Sequence, residues 1–216
     1  FLLEDNINII SELKDIEKYD YIIPLMSIPY ILNINPDKDV QNEKYIKSNT
    51  KDIIKWKNKI NSNSFNIGIN WQGSKMEADK NRSFNLSHFE EISKLNNLQL
   101  ISLQKFDGIE QLDKFKGDIK IFDDELDTEF PFFDTAALLA SLDLVITSDT
   151  SIAHLSGAVG CKTWVVLQKT PDWRWGVNIN SVPYYKDMVL YRQKNFIDWS
   201  LPFLNIQKEL KNIITK

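Results

Sequence analysis

An α/β fold built on a parallel, Rossmann-like sheet is predicted for this chain of 216 residues, and three observations predict it. Short apolar segments alternate with segments of helical apolar spacing between residues 62 and 198. Polar side chains gather directly after several of the apolar segments. The composition, 43% hydrophobic and 26% charged, is that of a globular protein. Strands that alternate with helices form right-handed βαβ units, which give a parallel sheet with helices on both faces.

The elements follow from the pattern in chain order. Apolar segments predict strands at 66–71, 99–104, 120–123, 144–149, 163–168 and 188–193. Helical spacing predicts helices at 87–95, 108–115, 134–142 and 151–159. Ser87 is the predicted N-cap of the first of these helices, and Gly160 is predicted to end the last one.

Two flanking regions differ from this alternating part. The first, residues 1–61, contains a predicted short strand at 21–25 and a Lys-rich amphipathic helix at 46–60. The polar stretch 61–64 is a natural joint to the main domain at 62–198. A terminal helix at 201–214 occupies most of the last region, 199–216.

Composition excludes several classes of protein. The net charge of −4 argues against a nucleic-acid-binding module that acts through a basic surface. The single cysteine, Cys161, excludes an internal disulfide and a thiolate metal cluster, and two distant histidines argue against a zinc site, so no metal is expected. No apolar run has membrane-spanning length, so we expect a cytoplasmic protein. Because the chain begins with Phe1 instead of Met, we expect a fragment of a longer protein.

Candidate binding residues follow the predicted strands, at the edge where parallel α/β sheets bind ligands. They are Gly73 and Arg82 after the first strand, Gln104 and Lys105 at the second, Asp149, Thr150, Ser151 and His154 after the fourth, and Asp172, Trp173 and Arg174 after the fifth.

These residue types favour anion binding. Gly73 permits close backbone approach, and Lys105 and Arg82 supply positive charge. The turn at Thr150 and Ser151 offers N–H groups and hydroxyls to a phosphate.

Other residues of the set point to a sugar or a base, and each has a plainer alternative. Asp149 either accepts a hydrogen bond from a sugar hydroxyl or caps a helix. Helix capping is also the plainer alternative for Thr150. Trp173 either stacks on a base or sugar or packs in the core. His154 lies in an apolar helix and is equally explained as a core histidine. Gly73 by itself is an ordinary turn glycine.

Other mechanisms lack their motifs. The sequence has no G-x-G-x-x-G fingerprint, no Walker loop and no G-x-S-x-G elbow. Cys161 is predicted at the far end of a helix, away from the ligand edge, and the acidic run 123–125 is expected to be a loop.

Five motifs in this order resemble the C-terminal part of bacterial tetratricopeptide-repeat-coupled glycosyltransferases. They are GINWQGS, NRSF, LISLQK, SDTSIAHLSGAVG and PDWRWG. These enzymes are similar to the ADP-heptose:lipopolysaccharide heptosyltransferases and, more remotely, to O-linked N-acetylglucosamine transferase. The resemblance extends from about Tyr19 to the C-terminus.

The resemblance implies the C-terminal half of a GT-B fold, which binds a nucleotide-diphosphate sugar without a metal or other cofactor. Lys105 matches a lysine near the donor diphosphate, and the segment from Asp149 to His154 matches the one at the donor phosphates and sugar. Gly73 and Arg82 match the loop after the first strand of the domain. Residues 24–29 look like the end of an N-terminal domain, so residues 1–61 are interpreted as its remnant with a linker helix.

The same resemblance limits what this chain is expected to do alone. In such enzymes the missing N-terminal domain holds the acceptor and usually the catalytic base, and we find no candidate for that base here. The leading hypothesis is the donor-binding domain of a hexosyl- or heptosyltransferase with an unknown acceptor. A non-catalytic nucleotide-sugar-binding module and a structural Rossmann-like interaction domain remain as alternatives.

Overall fold

The computed structural model of the protein describes residues 18–40, 42–75, 81–122 and 124–214. Within these residues six parallel strands form one sheet in the order β3-β2-β1-β4-β5-β6. The strands are β1 (Phe65–Asn70), β2 (Leu98–Ser102), β3 (Ile119–Lys120), β4 (Leu144–Thr147), β5 (Thr163–Leu167) and β6 (Met188–Arg192). The predicted parallel sheet is therefore confirmed.

The strand order reverses beside β1. Ile67 of β1 lies opposite Leu100 of β2 on one side and opposite Leu144 of β4 on the other. The chain therefore builds outwards from β1 to β3, returns to place β4 beside β1, and builds outwards again to β6. Loops that leave β1 and β4 diverge at such a switch point and open a crevice at the carboxyl ends of the strands.

Helices cover both faces of this sheet. The α-helices are α1 (Ile28–Ile31), α2 (Pro36–Asp39), α3 (Thr50–Lys57), α4 (Glu90–Ser93), α5 (Phe133–Leu139), α6 (Ser151–Val159) and α7 (Ser200–Ile214). Short 3₁₀ helices occupy Leu25–Ser27, Leu86–Phe89, Ile109–Lys114 and Trp173–Trp175.

Alternation along the strands divides the core between the two faces. Ile69 and Ile146 pack on one face with Phe203 of α7. Val145 points to the opposite face and packs with Trp56 of α3 and with residues of α5 and α6. Because both faces of the central strands are covered, β4 and β5 read as nearly continuous apolar runs in the sequence.

The end of helix α6 agrees with the sequence prediction. The helix covers Ser151–Val159, and Gly160 follows it with a left-handed φ of 78°. Its N–H bonds to Gly157 and Ser156, which closes the last turn. At the helix predicted for 87–95, however, Asn85 is the N-cap instead of Ser87, because the Asn85 side chain accepts from the Ser87 N–H.

Three other elements differ from prediction. Residues 21–25 form no strand, because the Pro24 carbonyl accepts from the Ser27 N–H and turns the chain. The helix predicted at 46–60 begins only at Thr50, since Tyr45 and Ile46 donate instead to the Ala158 carbonyl. The segment 108–115 forms a 3₁₀ helix in place of the α-helix that its apolar spacing suggests.

Parts of some predicted elements lie outside the described residues. These are residues 1–17 of the N-terminal region, Asp123 of the predicted third strand and acidic run, and residues 215–216 of the terminal region.

Candidate functional site

A cleft of about 650 Å³ lies at the carboxyl edge of the sheet, beside the switch point between β1 and β4. Its walls come from the loops after β1 and β2 and from the first residues of α5 and α6. This volume falls in the range of small-molecule and cofactor sites.

Asn70, the last residue of β1, forms the polar floor of the cleft. Its Oδ1 accepts from the Thr150 Oγ1 at 2.8 Å and from the Thr147 Oγ1 at 3.3 Å. Its Nδ2 donates to the Gln104 Oε1 at 2.9 Å. One buried amide thus ties the ends of β1 and β4 and the residue after β2 into a single network.

Gln104 fixes the loops that follow β1 and β2. Besides Asn70, its Oε1 accepts from the backbone N–H groups of Trp71 and Gln72 at 3.1 and 3.0 Å. Its Nε2 donates to the carbonyls of Gln72 and Asp107 at 2.8 and 2.7 Å. The predicted residue Gln104 therefore lines the cleft while its amide holds the cleft wall together.

The N-terminus of α6 opens onto the cleft. Thr150 precedes the helix in an extended conformation and makes no side-chain cap hydrogen bond, because its hydroxyl donates to Asn70 instead. Thr150, Ser151 and Ile152 line the cleft. The first-turn N–H groups of a helix carry partial positive charge, which favours an anion at this place.

Two cationic side chains, Lys105 and Arg82, also line the cleft. The Lys105 Nζ donates to the Leu126 carbonyl on the opposite loop. Gly73 stands beside them, and its N–H donates to the Ser83 Oγ at 3.1 Å, which joins the β1 loop to the segment that carries Arg82.

Two carboxylates at the cleft are engaged in backbone bonds. The Asp107 carboxylate accepts from the Lys75 N–H at 2.9 Å. Asp127 accepts from the N–H and the hydroxyl of Thr135 at 2.9 and 2.6 Å and so holds the start of α5. These carboxylates order the loops around the cationic part of the cleft.

Asp134 connects this wall to the N-terminal helix α3. Its Oδ1 accepts from the Trp56 Nε1 at 2.9 Å and from the Lys55 Nζ at 3.1 Å, and its Oδ2 accepts from the Asp127 N–H. Burial alone would raise the pKa of Asp134, but the hydrogen bonds from Lys55 and Trp56 lower it below its usual value.

The predicted binding residues thus fall into two groups. Gly73, Arg82, Gln104, Lys105, Thr150 and Ser151 line the cleft. Asp149, His154, Asp172, Trp173 and Arg174 do not line it; the last four lie on α6 and beyond β5.

His154 belongs to an aromatic cluster on this second side. Its ring stacks on Trp175 with centroids 4.9 Å apart, and its Nδ1 lies 3.2 Å from the Tyr185 hydroxyl. Burial lowers the pKa of His154, and the positive charge of Arg174 lowers it further. The buried Asp149 and the carboxylate of Asp172 oppose that shift.

The PDWRW segment folds back on itself. Asp172 caps the 3₁₀ helix and pairs with the Arg174 Nε at 2.8 Å. Trp175 is fully buried and its carbonyl accepts from the Arg192 Nη2 at 2.6 Å, whereas Trp173 is 74% exposed. Of the two tryptophans in this segment, Trp175 is therefore core and the candidate Trp173 lies on the surface.

Several cleft residues escape sequence reasoning. Asn70 is the clearest, and its only signal is a polar side chain at the end of an apolar strand. Phe106, Asp127 and Phe132 reach the cleft from loops that carry no periodic pattern, and Thr135 reaches it from the first turn of α5.

Fold, switch point and cleft together define an α/β domain with an open cleft at the carboxyl edge of a parallel sheet, the edge at which such folds bind ligands. Comparison with solved structures identifies proteins with a similar fold. It is similar to a glycosyl transferase family 9 protein from Veillonella parvula DSM 2008, with a TM-score of 0.62 and 12% identity over 88% of this chain and 59% of that one. It is similar to the E. coli ADP-heptose lipopolysaccharide heptosyltransferase II, with a TM-score of 0.58 and 12% identity over 79% and 53% of the two chains.

A further similar structure is the E. coli heptosyltransferase WaaC with ADP-2-deoxy-2-fluoro heptose, with a TM-score of 0.52 and 14% identity. That match covers 74% of this chain and 47% of the heptosyltransferase. The chain thus spans about half the length of these structures. No family model matches the sequence, and no curated protein matches it.

This likeness confirms the predicted fold class: a Rossmann-like parallel sheet with helices on both faces, as in one half of a GT-B fold. Among the described residues, no helix combines the length and apolar character needed to cross a membrane.

Proposed function

We propose that this chain is the donor-binding domain of a glycosyltransferase, which holds a nucleotide-diphosphate sugar for transfer to an acceptor hydroxyl. One observation carries the proposal. The cleft at the switch point combines an open helix N-terminus with the cations Lys105 and Arg82. That combination suits a diphosphate, and the fold is that of heptosyltransferases.

The chemistry asked of these residues is stabilisation of the leaving group. Transfer breaks the bond between the anomeric carbon and the diphosphate, and negative charge develops on the departing oxygen. Lys105, Arg82 and the first N–H groups of α6 would neutralise that charge without a metal ion. The nucleotide diphosphate leaves, and the acceptor oxygen takes its place on the sugar while its proton passes to the catalytic base.

The second group of predicted residues is proposed to face the sugar. Asp149 precedes the helix that would bind the phosphates, and His154 lies within it. A carboxylate and an imidazole suit hydroxyl groups as hydrogen-bond partners. Asp172, Trp173 and Arg174 belong to the same part of the proposal.

The acceptor site and the catalytic base are proposed to come from an upstream domain. Residues 19–32 support this, because the apolar side chains of Tyr21, Leu25 and Tyr30 are 79–89% exposed. Residues 1–61 would then be the end of that domain and a linker, 62–198 the donor domain and 199–216 a closing helix. Attachment to tetratricopeptide repeats and a cytoplasmic location rest on the sequence resemblance alone.

The test is calorimetric titration of the chain with ADP, UDP and GDP. We expect saturable binding of at least one of them and a loss of about tenfold or more in affinity for Lys105→Ala, because a charge-assisted contact to phosphate is removed. Lys208→Ala is the matched control, since that exposed lysine lies on α7 and does not line the cleft.

The outcomes separate the competing functions. Binding that depends on Lys105, together with donor turnover by the full-length parent, supports the enzyme. The same binding without turnover by the parent favours a non-catalytic nucleotide-sugar-binding module. Absence of binding to both the chain and the parent contradicts the proposal and leaves a structural domain.

A further inference from the structure

Two phenylalanines at the cleft have unusual backbone conformations. Phe106 follows β2 with a φ of 60°, and Phe132 precedes α5 with a φ of 64°. Non-glycine residues rarely adopt this left-handed region, and those that do are mainly Asn and Asp. The described residues follow that rule elsewhere: five of the other six with positive φ are Asn or Asp, and the sixth is Ile197.

Neither ring is explained by packing. Phe106 is 86% exposed and Phe132 is 40% exposed, yet both line the cleft. A left-handed backbone costs free energy in a residue with a side chain, and glycine or asparagine would remove much of that cost. The turns themselves are firmly held, because the carbonyls of Phe106 and Phe132 accept from the N–H groups of Ile109 and Ala136.

The two rings line the same cleft of about 650 Å³ as the groups proposed to bind the diphosphate. The two rings come from the loop after β2 and the start of α5, whereas the helix N-terminus and Thr150 lie at the switch point. Lys105 directly precedes Phe106 in the chain. A ligand with a diphosphate at Lys105 therefore extends naturally towards an aromatic surface.

We infer that Phe106 and Phe132 form an aromatic platform on which the nucleobase of the donor stacks. This inference rests on the proposed function. It adds that the nucleobase contacts the loop after β2, which carries Phe106, and the loop before α5, which carries Phe132. Every nucleobase has a π-face, and stacking on an aromatic side chain is a large and sequence-tolerant contribution to binding. The left-handed backbone is the cost of presenting each ring to the cleft.

The experiment compares ADP with inorganic pyrophosphate in calorimetric titrations of the whole chain. Phe106→Gly and Phe132→Gly should each weaken ADP binding by about fivefold or more, the lower end of the range for loss of one base–aromatic stack. Pyrophosphate affinity should stay the same, because that ligand has no base. Phe106→Tyr should keep the affinity for ADP.

Phe130→Ala is the matched control. Phe130 is also exposed and lies in the same loop, but its ring packs edge-to-face against Phe133 with centroids 6.4 Å apart, and it does not line the cleft. It should leave ADP affinity unchanged. The thermal midpoint of unfolding of Phe106→Gly should equal or exceed that of the unsubstituted chain. This measurement separates loss of the platform from loss of the fold.

Two results overturn the inference. If both glycine variants bind ADP within twofold of the parent chain while Lys105→Ala does not, the aromatic platform is wrong and the donor-binding function stands. If the unsubstituted chain binds neither ADP nor pyrophosphate, the proposed function fails and the platform fails with it.

Discussion

The two sides of α6 carry the same kinds of residue in very different states. On the β1 side, polar and cationic groups surround an open cleft and meet in the network of Asn70 and Gln104. On the β5 side, His154 is stacked and hydrogen-bonded within an aromatic cluster, and Arg174 is paired with Asp172. Both sides follow carboxyl ends of parallel strands.

The difference shows that the strand order, more than the strand ends, determines where the cleft opens. Loops diverge only where the order reverses, between β1 and β4. Beyond β5 the chain continues to a neighbouring strand, so the loop is free to close on itself. His154 pairs with Tyr185 there and Asp172 with Arg174, whereas Lys105, Thr150 and Ser151 at the switch point line an open cleft.

Removal of Gln104 should have the largest effect on stability. Gln104→Ala deprives two buried N–H groups and two carbonyls of their partner, so we expect a loss of about 3 kcal/mol in the free energy of unfolding. Urea denaturation measures it. Gln99→Ala removes a single bond, from the Asn61 N–H, and should cost about 1 kcal/mol. Equal losses in the two variants would contradict the role given to Gln104.

A methyl group added at Gly157 should destabilise the β5 side of α6 without changing the cleft. An ideal Cβ there lies 2.5 Å from the Tyr185 ring, so Gly157→Ala should lower the free energy of unfolding by about 1–3 kcal/mol. ADP affinity should remain within about twofold, because neither residue lines the cleft.

The same substitution made together with Tyr185→Ala sharpens this prediction. In a Tyr185→Ala chain the clash is absent, and Gly157→Ala should then be neutral or stabilise the helix by up to about 1 kcal/mol. A loss of ADP binding in Gly157→Ala would mean that the two sides of α6 act as one site.

The smallest predicted effect is a pH dependence from His154. Its pKa is lowered in the folded chain, so the unfolded chain binds the proton first as the pH falls. Stability should therefore decrease as the pH falls below the ordinary value of 6.5, until the folded state also binds the proton. Urea midpoints across this range should vary less for His154→Gln.

Part of that slope should survive in the His154 variant. His88 stacks on Phe203, and burial lowers its pKa as well. The double variant, with His88→Gln added, should have the flattest profile. A parent profile that rises as the pH falls would contradict both assignments.

The sheet was predictable because its strands are buried on both faces. Nearly continuous apolar runs mark β4 and β5, apolar residues alternating with asparagine and glycine mark β1, and Gly160 marks the end of α6. Short helices were harder, since hydrogen bonds from distant residues decide them: Ala158 determines the course of residues 45–46, and so the late start of α3.

The site was only partly predictable for a similar reason. Lys105 and Thr150 follow strands directly, so topology alone brings them together. Asp127 and Phe132 reach the cleft through an irregular loop, whose path depends on Asp134, Lys55 and backbone bonds. No local pattern in the sequence encodes that path.

Hydrogen–deuterium exchange of the whole chain with and without ADP tests the central claim most directly. Bound diphosphate should protect amides at 70–74, 104–107 and 150–153, which border the cleft, and should leave 172–176 unchanged. Protection confined to 172–176, or no protection at any ADP concentration, would contradict the assignment of the donor site to the switch point.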